Sequence, residues 1–182
     1  MNDNPSETSR AIIVVGIDGS ADTERTTAYS VQEALRTERS LRIIHVIPEA
    51  VPMAPMLPLH DADALRAVGS QILVDAERTA RDLCADQVEV ETVLARGPRI
   101  PALLAHTDDA ALIVLGRRSS TLARVRTGST TSTAAARATC PVVVVPEQWS
   151  ITRARGGARA RLRPGRGAFV AAVAAVRHGV RW

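Results

Sequence analysis

The chain has 182 residues, of which 46% are hydrophobic and only 2% aromatic, so it can form one core of aliphatic side chains, as helix-covered parallel strands do. Its formal charge of +4 divides unevenly, because residues 1–150 combine 15 arginines with all 19 acidic residues, whereas residues 151–182 contain eight arginines and no acid. The chain contains no lysine, which excludes P-loop hydrolases, protein kinases and Schiff-base enzymes, and residues 1–150 lack the basic surface of nucleic-acid-binding domains.

Apolar patterns along the chain predict strands that alternate with helices. The first strand, 11–17, leads into the turn formers Asp18-Gly19-Ser20, and a helix over 23–37 follows with Asp22 as its N-cap. The later predictions are strands over 41–47, 88–95, 111–115 and 141–145, and helices over 61–84, 100–107 and 130–138. The strand over 88–95 has a polar face typical of a sheet edge, whereas the wholly apolar 111–115 is predicted to be central. Such an order of elements predicts a parallel sheet with helices on both faces.

The loops after the first and fourth strands are the places to look for a site. Ligands of doubly wound sheets bind beyond the carboxyl ends of the strands, where the strand order reverses. The carboxylate of Asp18 can accept hydrogen bonds from a ribose or an adenine amine, and Gly128-Ser129-Thr130 opens a helix whose free N–H groups suit a phosphate. Positive charge for the phosphates can come from four arginines of the second loop, Arg117, Arg118, Arg124 and Arg126.

Simpler interpretations of these residues stay open at this point. Asp18 can serve only as a turn residue, and Gly128-Ser129-Thr130 can be an ordinary helix start. His45, between two apolar strand residues, is predicted to be a packed residue, and no histidine is assigned a catalytic role. Cys84 and Cys140 are predicted to be buried thiols. No catalytic or metal-ligating residue is predicted.

Several short motifs, taken together and in order, resemble the universal stress protein family across 11–146. They are a first strand ending in Asp-Gly-Ser, a second ending in His45-Val46, the turn Arg96-Gly97-Pro98, the strand ALIVLG, and GST followed by a short helix into CPVVVVP. The resemblance implies a flavodoxin-like or Rossmann-like α/β fold, doubly wound, with five parallel strands in the order 3-2-1-4-5. It also implies a cytoplasmic protein, a homodimer through the last strand, Val142–Val145, and, in one branch, ATP bound by a loop G-x2-G-x9-G-[ST].

The resemblance also implies which residues would bind the nucleotide. Those for base and ribose are Ile17, Asp18, Ser20 and Val46; those for phosphate are Gly116, Ser119, Gly128, Ser129 and Thr130, with Arg118 adding charge. The chain departs from the family loop twice, because Ser119 replaces its second glycine and only eight residues separate Ser119 from Gly128. A missing glycine restricts the backbone at a cost of about 1 kcal/mol. The expected cofactor is ATP, with or without Mg²⁺.

Two functions follow as hypotheses. The first is a nucleotide-binding regulatory module of the stress response, not an enzyme beyond slow incidental ATP hydrolysis. The alternative is a dimeric stress protein that binds no nucleotide and acts through protein contact, as Ser119 and the short loop favour. Adenylating ATP pyrophosphatases fit poorly, because they need a glycine-rich loop after the first strand, where this chain has one glycine. Phosphoacceptor receivers need a lysine.

The domain organisation is predicted to be simple. Residues 1–10 are expected to be disordered, 11–147 to form the domain, and 148–182 to be an arginine-rich tail, largely disordered with a short helix at 168–178. The tail could contact nucleic acid or an anionic membrane, although a partnerless extension is the simpler interpretation. The polar first ten residues lack the apolar core of a signal peptide, which supports a cytoplasmic location.

Overall fold

The computed structural model describes residues 12–48, 62–117, 130–152, 163–164 and 171–173. Within these ranges the strands are β1 Ile12–Ile17, β2 Ser40–Ile47, β3 Val90–Arg96, β4 Ala110–Gly116, β5 Val142–Val145, β6 Ile151–Thr152, β7 Arg163–Pro164 and β8 Ala171–Val173. The helices are α1 Asp22–Thr37, α2 Ala62–Cys84, α3 Arg99–Leu104 and α4 Thr130–Arg137. Strands and helices therefore alternate from β1 to β5, as the sequence predicts.

Five parallel strands form the sheet in the order β3-β2-β1-β4-β5, which confirms the predicted fold. Among the described residues β3 lies at one edge, as its polar face indicated, and β4 lies between β1 and β5. The central strands are in register, with Ile13 of β1 opposite Leu41 of β2 and Leu112 of β4. Their carboxyl ends consequently lie at one end of the sheet.

Helices bury both faces of this sheet. In β1, Ile13 and Val15 point to the side covered by α1 and α2, and Val14 points to the side covered by α3 and α4. All three side chains are fully buried, because successive residues of a strand face opposite sides and each side has its own helical layer. This double burial explains the continuous apolar runs in the sequence. Within the described ranges, no helix combines the length and the apolar character needed to cross a membrane.

The end of the chain corrects two predictions. β8 pairs antiparallel with the outer side of β5, so Val142–Val145 is not an edge strand in this chain. The helix predicted at 168–178 is wrong for residues 171–173, which form that strand; its other residues lie outside the described ranges. The open side of β5 offers backbone hydrogen bonds to these three residues, and this long-range pairing overrides their helical preference. β6 and β7 form a separate two-stranded ladder.

The start of α1 corrects a third prediction. Ala21, and not Asp22, is the N-cap residue, and its side chain forms no capping hydrogen bond. Asp22 is the first helical residue, and its N–H donates to the hydroxyl of Ser20 at 3.3 Å. Because the carbonyl of Ser20 also accepts the N–H of Thr23 at 3.0 Å, the preceding turn already supplies acceptors to the first turn of the helix. Asp22 therefore adopts a helical conformation as the first residue of α1 instead of capping it.

Candidate functional site

The carboxyl ends of β1 and β4 meet at the point where the strand order reverses. Gly16 pairs with Leu115 in the last step of their ladder, so Ile17 and Gly116 follow on neighbouring strands. β2 and β3 lie on one side of this junction, and β5 lies on the other. Such a junction is where doubly wound sheets form their ligand crevice.

The turn after β1 presents two polar side chains to solvent. Asp18 and Ser20 are both exposed, and the Oδ1 atom of Asp18 accepts the N–H of Ser20 at 3.1 Å. Gly19 between them has a φ of +75°, which disfavours a side chain. A Cβ atom at Gly19 would lie 2.5 Å from the Cδ1 atom of Ile72 in α2. The tight turn therefore requires glycine, and it holds the Asp18 carboxylate at the crevice.

The end of β2 supports the end of β1. The Nδ1–H group of His45 donates to the carbonyl oxygen of Ile17 at 3.0 Å, and the imidazole is buried. His45 is thus a packed strand residue, as predicted. The next residue, Val46, is partly buried and pairs with Ala95 of β3. The last residues of both strands are fixed relative to each other.

Gly116 allows α1 to approach the end of β4 closely. A Cβ atom at this position would lie 2.8 Å from the Oγ1 atom of Thr26 and 3.4 Å from the Cβ atom of Asp22. The residue that follows, Arg117, donates its N–H to the carbonyl of Val145 at 3.2 Å. The glycine therefore has a packing role in addition to any contact with a ligand.

Asp22 is a residue of this region that the sequence analysis missed as a candidate. Only 7% of it is exposed, and its Oδ1 atom forms an ion pair with Arg25. Its Oδ2 atom has no hydrogen-bond partner within the described part of the chain. A buried carboxylate oxygen normally has a partner, so Oδ2 has spare capacity to accept a hydrogen bond. The available signal was the run of polar residues where α1 begins, on a face that a simple amphipathic helix would fill with apolar side chains.

The structure describes six of the ten residues predicted to bind nucleotide. Five lie at the carboxyl ends of β1, β2 and β4 or in the turn after β1: Ile17, Asp18, Ser20, Val46 and Gly116. Thr130 is the first residue of α4. The other four, Arg118, Ser119, Gly128 and Ser129, lie outside the described residues. Among the residues that are described, no three His, Cys, Asp or Glu side chains form a group that could hold a metal ion.

A separate hollow of about 560 Å³ lies between α1, α2 and the segment after β5. Its polar and aromatic lining includes Glu24, Arg25, Asp82 and Trp149. None of the six described residues that were predicted to bind nucleotide lines it. We therefore place the candidate site at the strand ends, where the topology and the polar turn coincide, and not in this hollow.

Comparison with known proteins places this geometry in a family. The model of the universal stress protein family matches residues 10–146. Universal stress protein Rv2624c of Mycobacterium tuberculosis is 33% identical over 144 residues, covering 76% of this chain and 49% of that protein. Universal stress protein Mb2028c of Mycobacterium bovis is 28% identical over 138 residues, covering 73% and 47%. The chain thus spans about half the length of these curated relatives.

Solved structures agree with the fold. A universal stress protein crystallised in complex with cAMP is 26% identical, has a TM-score of 0.57, and is matched over 76% of this chain and 98% of its own. The universal stress protein UspA from Lactobacillus plantarum is 25% identical, has a TM-score of 0.61, and is matched over 74% and 97%. With the family model covering most of the sheet and its helices, the chain belongs to the universal stress protein family.

Proposed function

We propose that this chain is an adenine-nucleotide-binding regulatory module of the stress response, located in the cytoplasm, with at most slow incidental ATP hydrolysis. The observation that carries the proposal is the junction of β1 and β4, whose carboxyl ends are aligned by the pair Gly16–Leu115. The exposed Asp18 directly follows the last residue of β1 at this junction. A similar protein, 26% identical, was crystallised in complex with cAMP. The first observation supports a ligand at the strand ends, and the second supports an adenine nucleotide as its kind.

The described residues suggest how the base and ribose bind. The Asp18 carboxylate accepts hydrogen bonds from ribose hydroxyls, because an exposed carboxylate beside a crevice is a strong acceptor for them. Ile17 and Val46, apolar and adjacent to that turn, contact the base. The spare acceptor Oδ2 of Asp22 lies at the start of α1, two residues after Ser20. This arrangement favours a ligand with several hydroxyl or amine donors.

The phosphates of the proposed ligand, ATP, bind where α4 begins. The first N–H groups of a helix lack partners within it and carry partial positive charge, which favours an anion. In this proposal Gly128, Ser129 and Thr130 supply those groups, and Gly116 and Ser119 also contact the phosphates. Arg118 adds the charge that a lysine supplies in P-loop proteins. Mg²⁺, when present, is held by the phosphates and water.

Calorimetric titration of the full chain with ATP, ADP, AMP and cAMP tests the proposal. Wild-type protein should bind at least one of them, and at a hundredfold excess over Kd the ligand should add about 2.7 kcal/mol to the free energy of unfolding. Asp18→Ala should weaken binding by at least tenfold, since a hydrogen bond to a charged group is worth about 1.5–3 kcal/mol. Asp75→Ala, which removes an exposed carboxylate of α2, is the matched control and should leave Kd unchanged. Absence of binding to all four nucleotides would refute the proposal.

The second candidate function is a stress protein that acts through protein contact without nucleotide. Ser119 at the second glycine position and the eight-residue spacing to Gly128 favour it. In that case the family resemblance leads one to expect a homodimer through Val142–Val145. Nucleotide titration separates the candidates directly, because only the first predicts heat of binding and a shift in stability.

A further inference from the structure

The outer side of β5 is occupied by a segment from the far end of the same chain. Val142 lies opposite Val173, Val143 opposite Ala172, and Val144 opposite Ala171, in an antiparallel ladder. Residues 146–170 connect the two strands. Because β4 occupies the other side of β5, both sides of this strand are paired over Val142–Val144.

Without this segment the side of β5 would be an exposed sheet edge. Val142–Val145 is uncharged and entirely β-branched, so its free N–H and C=O groups would form a template for another strand. Proteins protect such edges with charge, with proline or by covering them. β5 contains neither charge nor proline, and β8 is its cover.

A second copy of the chain is the partner that this cover would exclude. A strand offers only two sides for pairing, so a second β5 could pair with this one only where β8 now lies. A segment of the same chain has an advantage, since covalent attachment gives it an effective concentration on the order of mM, well above that of free protein at micromolar concentration. An internal strand therefore outcompetes an equal strand from another molecule.

We propose that residues 171–173 cap the β5 edge within their own chain, so that the resting protein is a monomer and dimerises through β5 only after the cap is displaced. Dimerisation then requires an open edge on both copies. With one molecule in ten open, the apparent dimer Kd would be weakened about a hundredfold relative to uncapped protein. The cap thus makes the tail a regulator of assembly, independently of nucleotide binding.

Proline substitutions in the full chain test the cap. Along a strand the N–H groups point alternately to the two sides, so Ala172→Pro and Val173→Pro between them remove a donor that faces β5, whichever residue supplies it. At micromolar concentration wild-type protein should have a light-scattering mass of 19.4 kDa, and at least one proline variant should dimerise. Ala172→Ser keeps the N–H group and should stay monomeric. A dimeric wild type, or two monomeric proline variants with native circular dichroism, would overturn the proposal.

A cysteine pair tests whether the cap belongs to the same chain, without relying on proline. Val144 and Ala171 lie opposite each other, and directly opposed residues of antiparallel strands have Cβ atoms about 4.5–5.5 Å apart, close enough for a disulfide after a small adjustment. In Val144→Cys/Ala171→Cys protein, oxidation should give a monomeric band on a non-reducing gel. Ala171→Cys alone is the control. A disulfide-linked dimer would show that the segment pairs with another copy, and failure of any disulfide to form would show that the two strands do not pair. Either result would contradict the proposal.

Discussion

Arg42 joins three segments at the amino end of the sheet, and replacing it with methionine should destabilise the fold without affecting the site. Its Nε atom donates to the Oε2 atom of Glu91 at 2.8 Å, and its Nη1 and Nη2 atoms donate to the two carboxylate oxygens of Asp109 at 2.7 and 3.1 Å. Nη1 also donates to the carbonyl of His106 at 3.0 Å. The guanidinium thereby links β2 to β3 and to the segment before β4.

The exposure of the three side chains sets the size of the expected stability loss. The Arg42 side chain is 16% exposed, but the side chains of Asp109 and Glu91 are 42% and 53% exposed, so each ion pair deserves the value of a partly solvated pair, at most about 1 kcal/mol. The hydrogen bond to the carbonyl adds about 1 kcal/mol. Methionine retains most of the apolar packing of the arginine stem. We therefore expect Arg42→Met to lower the free energy of unfolding by about 2 kcal/mol at pH 7, or Tm by about 4–8 °C.

The loss should depend on pH. Hydrogen bonding from Arg42 holds the pKa of Asp109 below its usual value. The folded state then binds fewer protons than the unfolded state, so this stabilisation is present above the unfolded pKa of about 3.9 and disappears as the pH falls through the lower, folded pKa. The difference between wild type and Arg42→Met should consequently shrink from about 2 kcal/mol at pH 7 to about 1 kcal/mol at pH 3.

Urea unfolding followed by circular dichroism at pH 7, 5 and 3 measures these differences. Glu91→Gln, which removes only the more exposed partner, should cost less than about 1 kcal/mol at pH 7. Because Arg42 lies opposite Val14, three residues before the last residue of β1, nucleotide affinity should not change. An equal loss at pH 7 and pH 3 would refute the reasoning, since it would assign the effect of Arg42 to packing and not to its charge.

Two further substitutions test the turn after β1 and the packing over α1. Gly19→Ala should lower the free energy of unfolding by about 2–3 kcal/mol in urea, because the backbone φ is positive and the new Cβ would clash with Ile72. In an Ile72→Val background, which lacks the clashing Cδ1 atom, the loss should be smaller. Equal losses in both backgrounds would contradict the clash. Trp149→Ala should cost about 3–5 kcal/mol, because the indole is 3% exposed and packs edge to face on Tyr29 with ring centroids 5.4 Å apart. Calorimetric unfolding of Trp149→Phe should show a smaller loss, and a cost below about 1 kcal/mol for Trp149→Ala would rule out this account of the packing.

The sequence predicts the parallel sheet well because local and long-range signals agree there. The first five strands are rich in β-branched and apolar residues and are bounded by turn residues, with β3 alternating polar and apolar positions as an edge strand does. Helices of sufficient length separate them, which leaves few topologies open. The closeness of the carboxyl ends of β1 and β4 follows from the same topology.

Two features could not be predicted, since in each case a contact made elsewhere in the chain outweighs the local preference of the residues. Asp22 is a favourable N-cap by residue type, but Ser20 already supplies acceptors to the first turn, so Asp22 enters the helix and becomes buried. The pattern of residues 171–173 suits a helix, but the uncovered side of β5, far away in sequence, offers a ladder. Tertiary context overrides propensity in both places.

The close approach of α1 to Gly116 has a bearing on how relatives with this helix packing should be classified. In such a relative, selection would retain glycine at this position to accommodate Thr26, even in a lineage that had ceased to bind nucleotides. That glycine is consequently a poor diagnostic of ligand binding across the family. Surveys of divergent members would discriminate better by weighting the position of Asp18, whose side chain is exposed and not part of the packing between α1 and β4.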